Sequence, residues 1–189
     1  MDRPLIIYLH GFCSSPASWK SFLLAKEMAR RGLAERFVCP QLSTVPDEVA
    51  AGIGCLIEMA DGPVTLVGSS LGGHYANHLA ETHDVNAVLI NPAAVDRLDA
   101  AKFVGEHANF QTGERFTFTA AHAAQLEAQV RRPTPARYWL LAEEGDAVLD
   151  WRQAAAFYAG CRQTVLPGGD HSFTRFPDFI PQILEFAGL

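Results

Sequence analysis

The stretch Val64-Thr65-Leu66-Val67-Gly68-Ser69-Ser70-Leu71-Gly72-Gly73-His74 constrains this chain more than any other. It opens as a β-branched, apolar run, the composition of a parallel strand buried on both faces. It ends in Gly-x-Ser-x-Gly. Behind that, Leu71, Tyr75 and Leu79 recur every four residues, the spacing of a helix with one buried face. A strand that turns sharply into a helix puts the central serine, Ser70, at the apex with its hydroxyl exposed. Gly68 and Gly72 leave the room such a turn needs. Ser69 falls one residue early, on the flank of the turn, and is assigned structural work. The competing reading is a glycine-rich βα turn in some other α/β protein, so the other strand ends have to be read.

Strand-like and helix-like segments alternate along the chain. Leu5–Leu9, 37–39, 64–67, 85–90, 136–142 and 161–166 read as strands. A first helix is expected to start near Pro16 to Ser18, capped by Ser15 or Ser18. Its inner face would be Trp19, Phe22, Leu23, Lys26 and Ala29, and Gly32 would end it. A second helix over about 47–60 carries the stripe Val49, Ile53, Leu56, Ile57 and Ala60, and a third runs around Trp151 to Tyr158. Pro177 and Pro181 predict a broken start to the last helix, packed down by Ile183, Leu184 and Ala187. The sum is an α/β protein, a mainly parallel sheet of about six strands flanked by helices. Its 189 residues suit a single domain over 1–189 with a sizeable core.

One segment, about 94–132, does not follow the alternation. It reads as a small cap crossing the active-site end of the sheet. Leu98 and Phe103 fit a short helix, 109–119 an irregular excursion, and 120–130 a second helix. Phe110, Phe116 and Phe118 would line an acyl pocket or form the core of the cap.

Composition removes several functional classes. The formal net charge is -6, from 21 acidic and 15 basic residues, with no basic patch, which argues against a nucleic-acid partner. No apolar run reaches membrane-spanning length, so membrane insertion is not expected. Met1-Asp2-Arg3-Pro4 leads straight into a strand, unlike a signal peptide. The four cysteines, Cys13, Cys39, Cys55 and Cys161, form no Cys-x-x-Cys pair. A cytoplasmic protein with reduced, mostly buried thiols is therefore expected. Cys13 stands out because it lies beside a candidate catalytic loop. The oligomeric state is left open.

Three strand exits carry Ser70, Asp146 and His171, which is the nucleophile, acid, base order of the α/β-hydrolase arrangement. A serine hydroxyl is a weak nucleophile at neutral pH and needs a base within hydrogen-bond reach. His171, after two glycines, can take that proton and return it to a leaving group. A carboxylate at Asp146 would hold the imidazole in the useful tautomer. Asp150 is the next candidate for the acid, and Glu143, Glu144 and Asp170 also lie near strand ends or the histidine. An oxyanion would be met by backbone N–H groups, one from Leu71 and the other most naturally from Phe12. Gly11 permits close approach there, and His10 would brace the loop. His74, one turn beyond the serine, could approach the pocket wall. His78, His83, His107 and His122 read as surface or helix residues. His74 and His78 have i,i+4 spacing but lack the glutamate of the zincin pattern, so no metal is expected. Nothing matches Gly-x-Gly-x-x-Gly, and no flavin or pyridoxal motif stands out, so no cofactor is expected.

Tyr8-Leu9-His10-Gly11-Phe12 with Ser14-Ser15-Pro16, Gly68-Ser69-Ser70-Leu71-Gly72-Gly73, Asn91-Pro92-Ala93, Gly145-Asp146 with Val148-Leu149-Asp150, and Gly168-Gly169 with His171 together form a specific set. On these residues the chain resembles, over nearly its full length, the small bacterial YqiA-like esterases, a branch of the α/β-hydrolases. The resemblance implies an esterase acting on short acyl esters, with acyl-CoA thioesters as a second class, and the roles of Ser70, Asp146 and His171 given above. His74 stands where a tyrosine is expected, and Asp170 where an asparagine is more usual. The reading is a serine hydrolase of short-to-medium acyl esters, its partner a small acyl ester or thioester. The alternatives are another reaction on the same scaffold, such as amide or C–C hydrolysis, and a non-catalytic interaction protein.

Overall fold

A computed structural model describes residues 3–94 and 99–189. The central sheet contains six parallel strands in the order β2-β1-β3-β4-β7-β8. These are β1 (Leu5–Leu9), β2 (Phe37–Val38), β3 (Val64–Ser69), β4 (Asn86–Ile90), β7 (Tyr138–Glu143) and β8 (Arg162–Leu166). The helices are α1 (Trp19–Arg30), α2 (Pro46–Glu58), α3 (Leu71–His83), α4 (Ala120–Ala128), α5 (Trp151–Phe157) and α6 (Phe176–Phe186). Two further strands, β5 (Gly105–Ala108) and β6 (Arg115–Phe118), form a separate antiparallel hairpin. The six strands and their flanking helices make the expected α/β-hydrolase architecture.

Alternation along each strand divides the core in two. Ile7, Leu9, Leu66, Leu89 and Leu140 face the layer built by α2, α3, α4 and α5. Their neighbours Ile6, Tyr8, Val67, Val88 and Leu141 face α1 and α6. Successive side chains of a strand point to opposite faces, and both faces here are covered, hence the continuous apolar runs. Each fully buried side chain of this size contributes roughly 1.5–3 kcal/mol.

Several details depart from the sequence reading. In α1 the buried residues are Ser21, Leu24 and Met28, whereas Trp19, Phe22, Lys26 and Ala29 are exposed. The buried face is therefore rotated from the expected one, with Leu23 half-buried at its edge. Ser15 Oγ accepts from Ala17 N in the preceding turn, and Ser18 occupies the cap position without a side-chain cap bond. Pro181 lies inside α6, which is continuous from Phe176. Against the expectation of mostly buried thiols, Cys13 is buried, Cys39 and Cys161 are half-buried and Cys55 is exposed.

The cap is more regular than expected. Its excursion over 109–119 contains β6 and the turn of the β5–β6 hairpin. A 3₁₀ turn, Ala100–Phe103, precedes the hairpin, and the expected helical placement of Leu98 lies outside the described residues. In α4, Thr119 and His122 form a capping box: Thr119 Oγ1 accepts from His122 N, and His122 Nδ1 accepts from Thr119 N. The hairpin is fastened to the loop after β1, where Phe110 N donates to Cys13 O (2.8 Å) and Asn109 Nδ2 to Ser14 O (2.7 Å). No helix among the described residues is long and apolar enough to cross a membrane.

Candidate active site

Ser70 sits between β3 and α3 with φ 55° and ψ −122°, a strained backbone for a residue with a side chain. Sterics explain the glycines on either side. A Cβ at Gly68 would lie 2.4 Å from Gly72 O, and one at Gly72 would lie 2.0 Å from Leu9 O. The start of α3 is thereby pressed against the end of β1. The turn is locked by Ser70 N donating to Ile90 O (3.0 Å) and by Ser70 O accepting from Gly73 N and Ala93 N (2.9 and 3.0 Å). Ser69 is buried and bonded to Tyr8, away from the apex.

Three strand exits bring Ser70, His171 and Asp146 into one hydrogen-bonded line. His171 Nε2 lies 3.1 Å from Ser70 Oγ, and His171 Nδ1 lies 2.7 Å from Asp146 Oδ2. An ionised carboxylate can only accept, so Nδ1 carries the proton and Nε2 accepts from the serine hydroxyl. The Asp146 side chain is 2 % exposed and that of His171 is 28 % exposed. Burial raises the Asp146 pKa, but hydrogen bonds from His171 and from Leu149 and Val148 N–H outweigh it and hold the carboxyl below its ordinary value. Both backbone bonds go to Oδ1, at 2.9 and 2.8 Å, leaving Oδ2 for the imidazole.

The other acids do different work. Asp150 is exposed and caps α5 by accepting from Arg152 N. Glu144 and the Asp170 side chain are exposed. Glu143, among the rival acids in the sequence, instead braces the His171 loop. Its carboxylate, 0 % exposed, accepts from Asp170 N (2.8 Å) and from Arg175 Nε (2.7 Å). Asn91 Nδ2 donates to Asp170 O (2.9 Å), and Arg175 Nη2 and Lys20 Nζ each donate to a carbonyl of the same loop, Pro167 O and Ser172 O, both at 2.8 Å. The backbone on both sides of His171 is therefore held by side chains from four parts of the chain. Only an unpaired charge at a strand end hints at this in the sequence.

On the opposite side of Ser70 lies the loop after β1. His10 is buried; its Nδ1 donates to Gly11 O (3.1 Å) and its Nε2 accepts from Leu42 N (3.2 Å), which ties the β1 loop to the β2 loop. Burial, partly offset by the Gly11 bond, lowers its pKa and keeps it neutral. A Cβ at Gly11 would lie 3.2 Å from Ser70 Cβ, so the loop passes against the serine. Neither Phe12 N–H nor Leu71 N–H donates to an acceptor among the described residues. The Phe12 ring meets Phe103, His107, Phe116 and Phe118 edge-on at 4.8–6.0 Å, so the cap is built around it.

Two cavities adjoin this loop. One, about 290 Å³, is strongly apolar; Ser70 and His171 line it with Phe110, Phe118, Leu126 and Leu149. The other, about 280 Å³, takes in His10, Gly11, Gln41, Thr44, Glu114 and Phe116. Phe12, Leu71 and Phe118 line both. Phe110 is an exposed rim residue of the apolar cavity, and Phe116 belongs to the second one.

The expectation for His74 is corrected. It lines neither cavity, because one turn into α3 it faces Gln129 at the end of α4, and burial there pushes its pKa down to about 3. His78 also meets the end of α4, with Nδ1 3.0 Å from Gln129 O. Among the described residues, no three His, Cys, Asp or Glu side chains cluster as a metal site requires.

Residues 5–188 match a family described as "Uncharacterised protein family (UPF0227)". The chain belongs to that family. Its fold recurs in proteins of low sequence identity. Mouse alpha/beta hydrolase domain-containing protein 10 is 20 % identical, with TM-score 0.71 over 99 % of this chain and 90 % of that one. One of the metagenome-derived lipolytic enzymes LipS and LipT is 16 % identical, with TM-score 0.74 over 99 % and 94 %. Est1E from Butyrivibrio proteoclasticus is 14 % identical, with TM-score 0.71 over 100 % and 90 %. At these identities the likeness establishes a shared α/β-hydrolase fold for this UPF0227 member.

Proposed function

We propose that this UPF0227 chain is a serine esterase of the YqiA-like kind, one α/β-hydrolase domain with its cap at about 94–132, acting on short-to-medium acyl esters. The observation that carries this is the unbroken line Ser70 Oγ, His171 Nε2 and Nδ1, Asp146 Oδ2, with links of 3.1 and 2.7 Å, opening into an apolar cavity. Ser70 Oγ attacks the ester carbonyl as its proton passes to His171 Nε2. Asp146 stabilises the imidazolium, and the Phe12 and Leu71 N–H groups receive the charge on the carbonyl oxygen. His171 returns the proton to the departing alkoxide, which leaves as the alcohol. Water, deprotonated by the same nitrogen, then attacks the acyl-serine, releasing the carboxylic acid and restoring Ser70. Proton transfer by a placed imidazole is worth about 10²–10⁴ in rate. The fold relatives include proteins named as lipolytic enzymes, which agrees with this reading without supplying it.

A cavity of about 290 Å³ with an apolar lining suits a short-to-medium acyl chain. Hydrolysis of p-nitrophenyl esters from acetate to palmitate, with wild type and folded Ser70→Ala side by side, tests the reading. Turnover that peaks between butyrate and decanoate and disappears in Ser70→Ala is expected. Undiminished turnover in Ser70→Ala removes the nucleophile assignment.

A further inference from the structure

The reaction above uses the apolar cavity and leaves the second one without a role. That second cavity is walled by the loop carrying Gly11 and Phe12, by the segment after β2 and by the cap hairpin. It begins beside the nucleophile, since Gly11 lies against Ser70 and Leu71 belongs to both cavities. Its outer wall is polar. Gln41, Ser14, Thr44 and Glu114 line it, and the hydroxyls of Ser14 and Thr44 and the Glu114 carboxylate have no partner among the described residues. No described lysine or arginine lines either cavity.

We propose that this polar cavity is the subsite for the alcohol part of the ester, and that the group it takes is a neutral polyol, such as glyceryl. The proposal rests on the esterase reading and narrows it. The carbonyl carbon is bound to Ser70 Oγ in the apolar cavity, next to the Phe12 and Leu71 wall shared with the polar one, so an apolar acyl chain filling the first leaves the alcohol to extend toward the second. Ser70 and His171 line the apolar cavity, so the leaving oxygen stays beside His171 Nε2, 3.1 Å from Ser70 Oγ, and the rest of the alcohol extends past Gly11 and Leu71 into the polar cavity. Unpaired hydroxyls and an amide both donate and accept, which suits vicinal hydroxyls. An anionic head meets a carboxylate and no cation, which disfavours the phosphates of coenzyme A. At about 280 Å³ the cavity admits a glyceryl group.

Relative kcat/KM of the full chain on methyl octanoate, 1-octanoylglycerol and octanoyl-CoA provides the test. The glyceryl ester is expected to exceed the methyl ester by about tenfold or more, two hydrogen bonds' worth, with octanoyl-CoA lowest. Thr44→Val and Glu114→Gln are each expected to lower the glyceryl-to-methyl ratio about fivefold. Glu114→Lys is expected to raise the CoA-to-methyl ratio. Both side chains are exposed and unpaired, so an unchanged Tm accompanies each variant. Turnover of methyl octanoate with no glyceryl preference, or ratios that the variants do not move, overturns the subsite and spares the esterase. No turnover of any of the three, with no labelling of Ser70 by a fluorophosphonate, removes both.

Discussion

Replacing Glu143 with alanine isolates what holds the general base in place. The carboxylate is fully buried and bridges Asp170 N and Arg175 Nε at 2.8 and 2.7 Å. The loop lies tightly on it: a Cβ at Gly169 would come within 2.1 Å of Glu143 Oε2. Removing one partner of a buried charge pair costs about 3–5 kcal/mol, because the other charge is left uncompensated. Arg175 is 35 % exposed and can rehydrate, so the low end of that range, about 3 kcal/mol, applies. For a chain of this length that is a fall in Tm of about 6–12 °C. Glu143→Gln keeps an acceptor for Asp170 N–H and loses only the charge, so its fall should be about half as large. Activity supplies a second readout. A loosened His171 loop misplaces the base and disturbs the apolar cavity only at His171 itself, so kcat falls in Glu143→Ala while KM stays within about twofold. Thermal unfolding and ester kinetics on both variants suffice. An unchanged Tm with an unchanged kcat in Glu143→Ala would refute the reasoning.

Three further outcomes are expected. Asp146→Asn, which cannot hold His171 in its working tautomer, should lower kcat by about 10³–10⁴, whereas Asp150→Asn, a comparable helix cap, should cost less than about tenfold; the reverse pattern in ester kinetics would exchange the two roles. His74, with its folded pKa pushed down to about 3 by burial, binds its proton only in the unfolded state between about pH 6.5 and 3. Stability should therefore drop as pH falls through that window by up to about 1.4 kcal/mol per unit, and urea unfolding at pH 7 and 5 should show this slope reduced in His74→Leu. Asp146 is shifted in the same direction from the ordinary carboxylate value, so its contribution is present above about pH 4 and lost as pH falls through its lowered pKa, a loss absent from acid titrations of Asp146→Asn.

What the sequence disclosed follows from the range over which each feature is determined. The elbow was legible because Gly68 and Gly72 answer to backbone atoms within and beside one motif. The central strands were legible because both faces of the sheet are covered there, so runs such as Leu5–Leu9, 87–90 and 139–142 are apolar throughout. The face of α1 was not legible because helical spacing permits both the set with Trp19 and Phe22 and the set of Ser21, Leu24 and Met28 that is buried. The β5–β6 hairpin was hidden because its strands are four residues each and mix charged with apolar residues. A signal was present in Arg-Phe-Thr-Phe, which alternates, behind a turn closed by Gly113 at φ 73°. Glu143 could not be placed because its partners, Asp170 and Arg175, are distant in sequence and meet it only when β7 and the loop after β8 come together. His74 points to α4 for a similar reason. Helical spacing fixes its angle on α3, but not which neighbour occupies that side.

Covalent capture of the nucleophile tests the central assignment most directly. The intact protein is treated with a fluorophosphonate at neutral pH, weighed by mass spectrometry and mapped after proteolysis. One adduct per chain on Ser70 is expected, formed far more slowly in His171→Ala and absent in Ser70→Ala. An adduct on another residue, or labelling of Ser70 at the same rate without His171, would contradict the assignment of Ser70 as a nucleophile activated by His171.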